Sequence, residues 1–61
     1  MKKYTILLQT SANSFEVVSL TAISFASLYP QYRGKGIAIA ISEYSVDAER
    51  YYNDLSKLMT A

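Results

Sequence analysis

The side chains of this chain that can move protons or hold ions are few. Five are carboxylates, Glu16, Glu43, Asp47, Glu49 and Asp54, and six are cations, Lys2, Lys3, Arg33, Lys35, Arg50 and Lys57. A carboxylate pair can divide acid and base work when burial or like charge drives its pKa values apart. Glu43 and Asp47 are spaced to meet across a strand–helix junction, but nothing around them in the sequence supplies such an environment. The chain contains no His and no Cys. It therefore has no base that titrates near neutral pH, no thiolate nucleophile and no soft metal site. No catalytic residue, metal ligand or cofactor is assigned, and the chain reads as a protein that is not an enzyme.

Contact surface is plentiful by comparison. Six Tyr and two Phe fall within 61 residues, and large aromatics dominate the centres of protein–protein interfaces. Phe25 and Tyr29 are four residues apart, so on a helix they share a face. Glu16 and Glu43, with Asp47 and Glu49, could imitate phosphates, although a helix N-terminus already accounts for the last two. Tyr29, Tyr32, Arg33 and Lys35 mix aromatic and basic residues in one stretch, the combination that stacks bases and contacts phosphates of single-stranded nucleic acid.

These residues must be positioned by a small set of elements. Tyr4–Thr10 reads as a strand, and its consecutive Ile6, Leu7 and Leu8 call for a central strand covered on both faces. A polar turn, Ser11-Ala12-Asn13-Ser14, leads to a second strand over Phe15–Ser19, giving a hairpin. Leu20–Tyr29 reads as a helix with Thr21 as N-cap, a Leu20–Phe25 staple, Ile23 and Leu28 turned inward, and an end imposed by Pro30. Gln31–Gly36 reads as a loop. Ile37–Tyr44 reads as a third strand with Ile37, Ile39 and Ile41 on one face and the alanines on the other. Ser45 caps a final helix from Val46 to about Met59, with Asp47 and Glu49 near its start and Lys57 near its end. The expected fold is α+β: one domain over residues 1–61, an antiparallel sheet in the order 2-1-3, a crossover helix and a C-terminal helix.

Sixty-one residues without disulfides or metal ligands make a thin core, since a chain of this size buries only roughly 60% of its unfolded surface. A second copy is the reinforcement left, and the edge strand with Ile37, Ile39 and Ile41 is the expected homodimer interface. The net charge of +1 and scattered cations argue against direct nucleic-acid contact as the main mode. No stretch approaches the roughly 20 apolar residues of a membrane span, so a cytoplasmic protein without membrane contact is expected.

Thr5-Ile6-Leu7-Leu8-Gln9, a turn, a strand, the segment Leu20–Tyr29 and one further strand resemble the small dimeric inhibitors of uracil-DNA glycosylase that phages encode. The resemblance spans about residues 4–45 and rests in the crossover on Phe25, Leu28 and Tyr29. It implies a non-catalytic partner of a host glycosylase, acting in the cytoplasm of an infected bacterium by filling the enzyme's DNA-binding cleft. It implies Phe25, Leu28 and Tyr29 as partner contacts, with Glu16 and Glu43 beside them. A small homodimeric protein that binds single-stranded nucleic acid, or another phage–host interaction module, is the alternative.

Overall fold

A computed structural model describes residues 1–60. Five main elements follow one another: β1 (Lys2–Ser11), β2 (Ser14–Ala22), α1 (Tyr29–Tyr32), β3 (Ile37–Glu43) and α2 (Val46–Thr60), with a 3-10 turn at Phe25–Ser27 ahead of α1. The three strands form one antiparallel sheet in the order β2-β1-β3. The fold is therefore the α+β arrangement expected from the sequence. β1 lies between two neighbours, and its run from Tyr4 to Leu8 is buried without a break.

Strand alternation explains how one run can be buried throughout. Tyr4, Ile6 and Leu8 point to one face, where Leu28 of the crossover is fully buried and Tyr32 packs alongside. Thr5 and Leu7 point to the other face and are equally buried. That second face is covered by α2, which lies across β1 and β2. Tyr52 is the buried anchor of α2, and Ser56 Oγ donates to the carbonyl of Phe15 at 3.4 Å. The start of α2 is fixed as the sequence requires: the Ala48 amide donates to Ser45 Oγ at 2.9 Å.

The crossover departs from the helix expected over Leu20–Tyr29. Leu20, Thr21 and Ala22 continue β2 because Tyr4, Lys3 and Lys2 pair with them. Thr21 is thus a strand residue and not an N-cap, and the Leu20–Phe25 staple is not formed. Ladder pairing to β1 outweighs the weak helical preference of a segment rich in Ser and β-branched residues. Ser24 is extended, the chain makes a 3-10 turn, and α1 carries Pro30 in its first turn rather than ending before it. A first-turn proline costs nothing, because its missing N–H would have no helical partner there. Gln31 Nε2 donates to the Thr21 carbonyl at 2.7 Å and ties α1 to the end of β2.

The third strand also departs from simple alternation. Leu7 pairs with Ala40 but Leu8 pairs with Ala38, so Ile39 is an extra residue bulged between them. Ile41 and Ala38 consequently pack on the same core, while Ile37 pairs with Gln9 and is largely exposed. The three isoleucines do not share a face, since one inserted residue reverses the side-chain sense beyond it.

Gly36 admits the entry into β3. A Cβ there would run into the carbonyl of Gln9, whereas a Cβ on Gly34 would meet nothing within 4 Å. Gly36→Ala should lower stability by about 1–3 kcal/mol in urea unfolding, as overpacking against rigid backbone does, while Gly34→Ala should stay within about 0.5 kcal/mol of the parent.

Candidate protein-binding surface

The sheet face that holds Tyr4, Ile6 and Leu8 is roofed by a crossover too short to hide its own aromatics. Ile23 is 78% exposed, Phe25 60% and Tyr29 53%, beside a Leu28 that is completely buried. Leu28 is the pin that holds the segment down, so it is not offered to a partner. Phe25 stands edge-on to Tyr4, with centroids 6.1 Å apart and planes at 83°. Tyr4 is itself buried in the central strand. The exposed ring is thus braced by a fixed one, in the T-shaped geometry that aromatic quadrupoles favour. Phe25 and Tyr29 belong to separate helical pieces and not to one helix face. Ile23, expected inward, is outward because it follows the last residue of β2.

Tyr29 makes a second edge-to-face pair with Tyr32, at 5.7 Å and 69°. These two tyrosines, with Arg33, Gly36, Ile37 and Ala38, line a groove of about 310 Å³ between α1 and the start of β3. Tyr32 and Arg33, expected in a loop of mixed aromatic and basic residues, instead form the end and the C-cap of α1. Gly36, on the groove lining, lies tight against the Gln9 backbone of β1.

The carboxylates are dispersed. Glu16 lies opposite Leu8 on β2 and Glu43 opposite Tyr4 on β3, so they occupy different strands at opposite ends of the sheet. Glu43 pairs with Lys2 at 3.0 Å on the surface. That hydrogen bond and charge hold the Lys2 ammonium above its ordinary pKa. Glu43 lies near the Phe25 surface, because it pairs with Tyr4 beneath that ring; Glu16 does not. Among the described residues no cluster of three or more acidic side chains could hold a metal ion, and no helix is long and apolar enough to cross a membrane.

A separate polar knot joins β3 to α2. Tyr44 donates its hydroxyl to Glu49 Oε2 at 3.0 Å, and the Lys3 ammonium lies 4.4 Å from the centroid of the same ring. The Tyr44 amide also donates to the Lys3 carbonyl at 2.7 Å. These contacts set where α2 leaves the sheet.

Comparison of the chain with protein-family models, curated proteins and solved structures finds no match.

The Tyr44–Glu49 bond carries its own pH signature. The hydrogen bond to the carboxylate, and then its negative charge, raise the Tyr44 phenol above its ordinary value. The neutral phenol is the form that folding favours. Its stabilising contribution is complete below the ordinary phenol pKa of about 10 and is lost as pH rises through the higher folded-state value. Phenolate absorbance, taken as the difference between the protein and Tyr44→Phe, should show Tyr44 titrating above about 10. Glu49→Gln should move that component down.

Proposed function

We propose that this chain is a non-catalytic protein-binding module that blocks a partner by covering its functional cleft. Phe25 carries the reading. A large apolar ring is left more than half exposed while a buried ring holds it in one orientation. Singly exposed apolar residues are ordinary, but here Ile23 and Tyr29 extend the same crossover surface. An anchor that is ordered before binding loses little entropy on capture. The partner class comes from the resemblance of residues 4–45 to phage inhibitors of uracil-DNA glycosylase, and a host glycosylase is the proposed target. Apolar capture suits a chain of net charge +1 better than imitation of a phosphate chain does.

The proposal includes a homodimer. β3 is a sheet edge with Ile37 and Ile39 exposed, and an open edge of this kind pairs readily with another strand. The Cα framework measures 34 × 26 × 11 Å. So thin a slab has little interior to add except through a second copy.

Two outcomes check these statements. Phe25→Ala should weaken inhibition of uracil release from a labelled oligonucleotide by roughly thirtyfold or more, as loss of an interface anchor does. Glu16→Ala and Glu43→Ala should each change it by about fivefold or less, the range of rim charges. Failure of the parent protein against glycosylases from several bacteria at micromolar concentration would remove the target; a larger loss in Glu43→Ala than in Phe25→Ala would remove the mechanism. Sedimentation should give a dimer at micromolar concentration and a folded monomer for Ile39→Lys, whereas a folded parent monomer would sink the dimer.

A further inference from the structure

The groove between α1 and β3 is not needed for capture by Phe25, and its chemistry differs. Two tyrosines, Tyr29 and Tyr32, line it together with Gly36, Ile37 and Ala38. Arg33 belongs to the lining, and Lys35 follows two residues later in the turn that leads to Gly36. Neither cation has an ion-pair partner among the described residues. The five carboxylates lie on β2, at the end of β3 and on α2, none of them in the crossover. By register Glu16 shares a row with Leu8 and Ala38, so it lies at this end of the sheet but two strands across from the groove, and the two cations have no acid beside them in the crossover or at the start of β3.

We propose that this groove binds single-stranded nucleic acid, one base against the tyrosine pair and the adjoining phosphates on Arg33 and Lys35. The volume of about 310 Å³ lies at the lower end for ligand sites and suits a base with its sugar rather than a long ligand. Any base presents a flat face to a tyrosine, so stacking would be tolerant of sequence. Uncompensated cations beside aromatic rings match a ligand that carries one phosphate per base. An acidic peptide would satisfy the cations but leave the tyrosine faces without a planar partner. The site is small, so affinity should be low and its electrostatic part modest.

The test uses the full chain and a fluorescein-labelled oligothymidylate, read by anisotropy. Binding should appear in the micromolar range. Two phosphate contacts on a single strand predict that log K falls against log salt with a slope of about −1.4. Arg33→Glu should abolish binding, and Tyr29→Ala should weaken it about fivefold or more, each variant being checked as folded by circular dichroism. Arg33 takes no part in the proposed capture of a glycosylase, so Arg33→Glu should inhibit that enzyme as the parent does. Failure of either reading is thereby seen separately. No anisotropy change at hundreds of micromolar protein overturns the proposal. So does binding that survives both substitutions, or displacement of the oligonucleotide by an acidic tyrosine-containing peptide at lower concentration than by unlabelled oligothymidylate.

Discussion

Burial of β1 on both faces is the constraint from which the rest of this small protein follows. Five consecutive residues, Tyr4 to Leu8, lose their solvent contact. Even Thr5, which has a hydroxyl, is carried to zero exposure by its place in the run. A strand can be treated this way only if it has a neighbour on each side and a cover on each face. The chain supplies both neighbours by folding back once through a tight turn and once through the crossover. It supplies the covers with the crossover on one face and α2 on the other. Full burial of an aliphatic side chain contributes about 1.5–3 kcal/mol, so Ile6, Leu7 and Leu8 dominate what so short a chain can gather.

The two covers are unequal, and the inequality gives the molecule its surface. The C-terminal helix has fifteen residues, a capped start and a buried tyrosine. The crossover spends its residues on distance. It must travel from the end of β2 to the start of β3 across the width of β1, and it does so in a 3-10 turn and a four-residue helix. Segments that short gain little from their own hydrogen bonds. Leu28 and, less fully, Tyr32 hold them to the sheet. The remaining apolar side chains have no interior to enter, so Ile23, Phe25 and Tyr29 remain outside. An aromatic surface is thus a consequence of covering a sheet with too little chain. Tyr4, reaching up from the central strand, orders that surface by meeting Phe25 edge-on.

Much of this was legible in residue types. The unbroken apolar run marked the central strand, the polar turn marked the hairpin, and Ser45 with Asp47 and Glu49 marked the start of α2. The order β2-β1-β3 followed from the need to cover both sides of Ile6-Leu7-Leu8. The crossover was not legible. Leu20-Thr21-Ala22 is extended only because Lys2 and Lys3 offer a ladder to pair with, and this depends on register over eighteen or more residues. The bulge at Ile39 was hidden for a similar reason: the Ile-Ala alternation is regular, and only the pairing with Leu7 and Leu8 shows the inserted residue. In the candidate site, an inward Leu28 and an outward aromatic were anticipated, while the exposure of Ile23 was not. Helical spacing cannot say which of three apolar neighbours faces a sheet once the helix itself is replaced by two shorter turns.

Native-state hydrogen exchange on the free protein tests the central place of β1 most directly. The amides of Ile6, Leu7 and Leu8 should exchange slowest and only through global unfolding, with a denaturant dependence equal to that of the whole transition. Amides of the crossover from Ile23 to Arg33 should exchange through local opening that leaves β1 protected. Crossover amides as slow as those of β1, or β1 amides that exchange without global unfolding, would contradict the account.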